Sequence, residues 1–571
     1  MEHWNETQSD PMDLGVTSRY QPNYVAYSLV ILIVTLILTR TLSSRHARPT
    51  MASKDNARTV PEVPYWLPIL GHIPNMAINA DGFVKGLRSQ YSKGIFALNF
   101  GGSKHNILYS PGLATALLNQ KTSNADSHDV TRGILSNVFG FPTNEHAKYD
   151  TALPDMMACY RHLLSDPSLA QLVDRTAKSI QTNVMSLVTF ASSPVDQTLW
   201  ERVSDVSLTK DKKGEEVVEA SMLPLIRDFC AHSANASIMG SNFLDNYPNI
   251  FDEVWTLDYG ILMLAAGLPR WVPIPSLTRA HIARKRIIDA LSVFHIAMQK
   301  HRRGEDPGPE WRDLDDVGNL VKARMDVYEK YDFSIRGRAA IEHSLVWAAN
   351  ANSNALVFWM LNRIYADKEV LEKLREEIAP YVKVVQPKQE FKIPEQPRFD
   401  EFDVEGLCTQ CPLLKSCYVE SLRLDAAPWS LKMVEQDFVL QSREKDAQGW
   451  LLRKGEYVHA AHDLHSTNPA HFEDPMTWKA DRHIKRLDGE KPTADMGTIR
   501  PYGGGSSMCK GRSFAFKEIM VFTAGIISLW DMEAAGGGEW KMPRHKKATG
   551  VYGTNDTTRV WLKRRKLPEE A

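Results

Sequence analysis

The twenty residues from Tyr20 to Thr39 carry no charge, and their apolar heart, Tyr24 to Leu38, reads YVAYSLVILIVTLIL. A bilayer's hydrocarbon core takes about 20 residues of helix. A chain with this segment is therefore expected to cross a membrane once and to build the rest of its fold beside it. Arg40, Arg45, Arg48, Lys54 and Arg58 follow the run; Glu2, Glu6, Asp10 and Asp13 precede it, opposed by Arg19. Basic flanks stay cytoplasmic, which predicts a lumenal N-terminus and a cytosolic body. A cleaved signal peptide carries its basic residues before the apolar run and a small-residue cleavage site after it, so that reading is the weaker one. Asn5-Glu6-Thr7 is a glycosylation sequon, and Asn5 would be lumenal in this topology.

The segment after the anchor is basic and then proline-rich, with Pro61, Pro64 and Pro68 in PEVPYWLPILGH. Proline fixes φ and removes a donor, so a stiff extended connector is expected, not a helix. The chain thus divides into a lumenal N-terminus at 1–19, an anchor at 20–39, a connector at 40–72 and a body at 73–571. At about 150 residues per domain a chain of this length suggests several domains. No repeat or composition shift divides the body, and one domain is expected. Lys plus Arg is 68 against 69 Asp plus Glu, so the basic excess of a nucleic-acid binder is missing. Six cysteines in 571 residues are too few for a disulfide scaffold.

Helical spacing of apolar residues predicts helices at Leu113–Leu118, Asp174–Phe190, Leu277–His301 and Phe333–Ala366. Short strand-like runs lie at Ile95–Phe100, Ile107–Tyr109, Phe438–Leu440 and Thr557–Leu562. The fold class expected is mainly α with small β-sheets (α+β). Arg302–Asp316 and Lys383–Phe402 read as exposed loops.

The most informative segment is RPYGGGSSMCKGRSFA, from Arg500 to Ala515. A glycine run leads to Cys509, and a helical pattern begins after it. Backbone N–H groups at a helix start favour a thiolate, and glycines let backbone approach a flat ligand. Three readings compete: a buried structural cysteine, a phosphate-cradling loop, and a thiolate ligand to haem iron. The second lacks the Lys-Ser/Thr ending and the preceding strand. In the third, a single thiolate pushes electron density onto iron and favours O–O cleavage.

The segment resembles the haem-ligand signature of the cytochromes P-450. Tyr502, Gly505, Cys509 and Gly511 fill its aromatic, glycine, cysteine and glycine places. Ser507 stands where the family commonly has a basic residue that holds a haem propionate. Arg500 is the candidate to replace it, with His146, Lys148 and Arg161 as further candidates. A second family signature, Glu-x-x-Arg, is matched by Glu420 and Arg423, which share one helix face at this spacing. Arg482 occupies the place of the second arginine that completes a buried structural triad.

The run Trp347–Trp359 resembles the family's long helix over haem. Its three asparagines and one serine are costly in a buried helix without partners; a solvated face is the alternative. Asn352 takes the place of the usual acid and can only orient a proton relay, while Ser353 takes that of the threonine. This pair, with Phe358-Trp359, is similar to the sterol 7-alpha- and 12-alpha-hydroxylases and prostacyclin synthase.

The resemblance implies a haem-thiolate monooxygenase with haem b held by Cys509. Electrons would come from NADPH through a cytochrome P-450 reductase, and Ser353 would serve the relay. The substrate would be a lipophilic small molecule such as a steroid, terpenoid or other secondary-metabolite scaffold. The pocket would draw on Ala125–Phe141, Leu223–Asn242 and Ala426–Leu431. The endoplasmic reticulum membrane is the implied location and a monomer the implied state. The alternative is a reductase-independent isomerase or dehydratase acting on a peroxide; a haem-binding sensor or carrier is the non-enzymatic one. Cys408, Cys411 and Cys417 lack the fourth ligand of a zinc site.

Overall fold

The computed structural model describes residues 24–52, 57–388, 396–486, 489 and 491–567. Asn5 and the lumenal segment 1–19 lie outside the described residues, as do positions 20–23 of the expected anchor. Helix α1, Tyr24–Ser44, has 21 residues and none of its apolar window is buried. At 1.5 Å per residue it is about 32 Å long, enough to cross hydrocarbon.

The helix runs five residues past the predicted Thr39, and its end is tied to the connector. Ser43 Oγ donates to the Tyr65 carbonyl at 3.2 Å and accepts from the Tyr65 N–H at 3.1 Å. The Arg40 guanidinium bonds the Pro64 carbonyl and lies 5.3 Å from the Trp66 ring centre. The connector in turn joins the body. Val63 N–H donates to Ala97 O, and Ala97 N–H donates to Pro61 O, at 2.9 and 2.8 Å. The proline-rich run is therefore extended because it lies along a sheet edge. At its end Gly71 has φ +56°, and a Cβ there would sit 2.3 Å from the Asn99 carbonyl oxygen, so only glycine fits.

That sheet comprises β1 (Ile95–Phe100), β2 (Ser103–Leu108), β3 (Ala125–Asp126), β4 (Trp429–Val434) and β5 (Tyr457–Ala461), in the order β1-β2-β5-β4-β3. It brings residue 125 beside residue 434 and so joins the two ends of the body. A second sheet, of four strands, pairs Glu216–Ser221 with Arg559–Arg564. The predicted strands Ile107–Tyr109 and Thr557–Leu562 are shifted to Ser103–Leu108 and Arg559–Arg564. The rest is mainly helix, as expected. The helices that position the site are α2 (Pro111–Leu118), α3 (Met222–Met239), α4 (Ile250–Ala265), α5 (Ile335–Asn350), α6 (Ser353–Ala366), α7 (Pro412–Leu424) and α8 (Arg512–Leu529).

Two expectations are corrected and a third, the exposed loop Arg302–Asp316, holds for most of its residues. The single helix predicted over Phe333–Ala366 is broken at Ala351-Asn352 into α5 and α6. The exposed loop predicted at Lys383–Phe402 has paired strands at its ends, Val382–Val385 with Arg398–Phe402. The loop at Arg302–Asp316 is pinned by Trp311 and Leu314, which are 4% and 1% exposed. These two apolar residues outweigh the charges around them.

Candidate active site

Five of the six cysteines are buried, and Cys509 alone is exposed. Burial pushes the Cys408 and Cys411 thiols up to about 12 and those of Cys230 and Cys417 well above the ordinary range. These are inert packing groups, and among the described residues no cluster of three or more metal-ligating side chains forms. The Cys509 loop is closed by its own backbone: Cys509 N–H donates to Tyr502 O at 3.0 Å, and Gly503 N–H to Arg500 O at 3.1 Å. The loop ends at Gly511, the N-cap of α8. A Cβ on Gly511 would lie 4.0 Å from Cys509 Sγ. The glycine at 505 is also fixed by a contact within the protein. Its φ is +60°, and a Cβ there would come within 2.1 Å of the Leu118 carbonyl oxygen. The close approach it permits is to the end of α2. Tyr502 shares a short hydroxyl–hydroxyl bond with buried Tyr418 of α7.

The helix surface around the break between α5 and α6 is incompletely covered. Ser344, Trp347, Ala348, Ala351, Asn352 and Ala355 are incompletely buried, while their neighbours at 345, 346, 350, 353 and 354 are buried. Spacings of three and four residues put the first set on one helical stripe. The polar residues behind it have partners. Asn350 and Asn235 of α3 exchange side-chain amide bonds at 2.8 and 3.0 Å, and Asn354 donates to Asn350 at 3.1 Å. The alternative of a solvated face is thus excluded for Asn350 and Asn354. Asn352 accepts at Oδ1 from the Val551 N–H at 2.9 Å. Its side chain holds the C-terminal loop against the break. The group that reaches Ser353 is Glu518 of α8, to which the Ser353 hydroxyl donates. Glu518 is 3% exposed. Burial pushes its carboxyl up to about 8, against the lowering effect of the Ser353 bond.

Sequence reasoning missed Glu518. It lies nine residues after Cys509, the one acid in the apolar pattern SFAFKEIMVF. That isolation was the available signal.

Glu420, Arg423 and Arg482 come together as expected. Arg423 grips both Glu420 oxygens at 2.7 and 2.8 Å, and Arg482 Nε donates to Oε1 at 3.0 Å. His483 Nε2 lies 3.0 Å from Oε2, a fourth member that the sequence did not disclose. Burial alone would raise the Glu420 carboxyl, but hydrogen bonds from Arg423 and His483 hold it down to about 2. Arg423 also donates to the carbonyls of Ser466 and Pro475 at 2.8 and 2.7 Å. One buried carboxylate thereby fixes α7 to the segment that leads toward the cysteine loop.

Against this geometry, the family model for cytochrome P450 matches residues 175–558. The chain is a cytochrome P450. It is 22% identical to cytochrome P450 monooxygenase efuG of Hormonema carpetanum, with 92% of each chain aligned. It is 24% identical to cytochrome P450 7A1 of Sus scrofa over 54% of this chain and 55% of that one. It is 26% identical to the 25-hydroxycholesterol 7-alpha-hydroxylase of Rattus norvegicus over 46% of this chain and 59% of that one. The likeness read from Asn352-Ser353 and Phe358-Trp359 to the sterol 7-alpha-hydroxylase group is therefore matched over about half of the chain. This P450 has the family's mainly helical fold with small sheets and one apolar N-terminal helix.

A P450 implies haem, with one open iron face and two carboxylates. The residues present fit both. Cys509 offers the exposed sulfur. Arg500 donates through one Nη to Thr115 Oγ1 of α2 at 3.0 Å, while its Nε is buried without a partner among the described residues. Lys432 of β4 is 1% exposed, and its Nζ is likewise unpartnered. Burial lowers its pKa, offset in part by Asp126. Its strand neighbour Ser430, on the same face, has Oγ 3.1 Å from the site of a Cβ on Gly503, which sets Lys432 under the cysteine loop. A buried Arg500 Nε and a buried Lys432 Nζ, both unpartnered among the described residues, call for an anion. Lys432 was not foreseen, because a lysine in a strand reads as an edge residue. His146 is bonded to Ser136 at 2.7 Å and Lys148 to the Asp332 carbonyl, so both are engaged elsewhere.

Proposed function

We propose that this P450 is a membrane-anchored monooxygenase that hydroxylates a lipophilic small molecule of steroid, terpenoid or other secondary-metabolite type. Cys509 would hold the haem iron through its sulfur, within a loop shaped by Tyr502, Gly505 and Gly511. Arg500 and Lys432 hold the carboxylates of haem b. When bound, haem supplies the iron on which dioxygen is activated. Glu420, Arg423, Arg482 and His483 keep the haem-side fold rigid. The observation that carries the reading is the exposed Cys509 just before α8, in a chain whose residues 175–558 match the cytochrome P450 family.

At neutral pH a carboxyl pushed up to about 8 keeps its proton. In that form the carboxyl donates to Ser353 Oγ. A proton passed on from Ser353 is replaced from Glu518.

Electrons come from NADPH through a cytochrome P-450 reductase on the cysteine side. The protein acts as a single-pass monomer of the endoplasmic reticulum with Asn5 lumenal and glycosylated, and with the division 1–19, 20–39, 40–72 and 73–571. The peroxide isomerase is the less favoured reading, since a rearrangement needs no proton source at this position. The test is reconstitution with reductase. Product that requires NADPH and reductase supports the monooxygenase; product from an organic peroxide without either would overturn it.

A further inference from the structure

Asn352 and Trp359, two residues that carry the likeness to the sterol hydroxylases, grip the same stretch of the C-terminal loop. Asn352 Oδ1 accepts from the Val551 N–H at 2.9 Å, and Trp359 Nε1 donates to Tyr552 O at 2.6 Å. The two lie seven residues apart, about two turns, and so share a helix face. Trp359 is fully buried, with the His545 ring edge-on at 4.6 Å and His545 stacked on Tyr552 at 4.3 Å. The loop is held from its other side by the connection between α7 and β4. Ala427 N–H donates to Gly550 O at 2.7 Å, and Tyr552 N–H to Asp425 O at 2.9 Å. The fit is closest at Gly550. A Cβ there would lie 2.2 Å from Asn352 Oδ1, and the three atoms nearest to it all belong to Asn352. Its backbone is not in the left-handed region, so Asn352, not φ, demands the glycine. Asn352 is also the N-cap of α6, with φ −110°, and Ser353 is the first residue of that helix. A side chain anchored outside the helix thus stands directly before the hydroxyl that is bonded to Glu518. The apolar pattern of 333–366 favours one continuous helix, which would change the direction from which Ser353 meets Glu518.

We propose that Asn352 and Trp359 form a two-point clamp on residues 550–552 that maintains the helix break and so positions Ser353 against Glu518. Both are positioning residues, and Gly550 is the part of the loop that lets the clamp close. The inference rests on the reading of Ser353 in proton delivery and deepens it.

The experiment uses the full-length, haem-loaded protein in lipid nanodiscs, with two readouts. One is backbone hydrogen exchange of residues 550–552; the other is the C–O stretching band of the reduced, carbon monoxide-bound protein, with Ser353→Ala as the reference. Asn352→Ala and Gly550→Ala should each speed the exchange on the order of 10-fold, the worth of one hydrogen bond. Each should also move the C–O band in the sense that Ser353→Ala moves it. Asn352→Asp keeps an acceptor for the Val551 N–H and should retain both wild-type values. Gly550→Ala should add nothing in the Asn352→Ala background, because the side chain its methyl group would strike is gone. Unchanged exchange in Asn352→Ala, or a Gly550→Ala effect that persists in full in that background, would overturn the clamp. Faster exchange with an unmoved C–O band, while Ser353→Ala moves it, would overturn the positioning role alone. A band that Ser353→Ala itself leaves in place would overturn the reading of Ser353 with it. Asn352→Ala, with Asn352→Asp as its rescue, keeps the test open should Gly550→Ala fail to load haem.

Discussion

Replacing Glu518 by glutamine should make the protein's stability less sensitive to alkali. The carboxyl of Glu518 is raised from an ordinary 4.5 to about 8, by burial, in the folded chain. A raised acid binds its proton more tightly folded than unfolded. Its stabilising effect is whole below pH 4.5 and is lost as pH rises to about 8. At about 1.4 kcal/mol per unit the loss is about 5 kcal/mol, an upper bound because relaxation and water entry soften it. Glutamine keeps the shape and the hydrogen bond to Ser353 without the titration. Urea unfolding of wild type and Glu518→Gln, each at pH 5 and pH 8.5, isolates the effect, since every other group titrates equally in both. The variant's midpoint should move upward relative to wild type between the two pH values, by an amount worth at least about 2 kcal/mol. Product formed per NADPH should also fall in wild type above pH 8 and be low and flat in the variant. A midpoint difference that does not change with pH would refute the claim that this carboxyl is held protonated.

Other perturbations follow from the same geometry. Glu420→Gln leaves Arg423, Arg482 and His483 without their carboxylate and should cost about 3–5 kcal/mol in chemical denaturation, with loss of haem loading. Ser353→Ala should leave haem binding intact and divert NADPH oxidation to peroxide; unchanged coupling would remove Ser353 from proton delivery. Gly505→Ala drives a Cβ to 2.1 Å from the Leu118 carbonyl at φ +60°, so haem content at expression should collapse. Normal haem content would show that the loop can shift away from α2.

The parts of the fold legible in the sequence are those with a local cause. An uncharged run of 20 residues specifies α1, and the spacing of Glu420 and Arg423 specifies a shared helix face. The cysteine loop was legible because a glycine run before a lone thiol has few structural uses. What escaped depends on partners far along the chain. The break at Ala351-Asn352 follows from bonds that Asn235, Glu518 and Val551 make to the helix. No local pattern indicates those. Lys432 and Glu518 are single charges in apolar stretches, and only burial distinguishes them from surface residues. The strand Glu216–Ser221 pairs with a segment about 340 residues later, beyond any periodicity argument. The contact of Gly505 with Leu118 escaped for the same reason, since Leu118 is remote in sequence.

The identity of the sulfur ligand is the claim on which the rest depends. The direct measurement is the absorbance of the reduced, carbon monoxide-bound protein, in wild type and in Cys509→Ala. Wild type should show the long-wavelength Soret band of a thiolate-ligated haem, and Cys509→Ala should lose it. An imidazole-type band in wild type, or a thiolate band that survives in Cys509→Ala, would contradict the account.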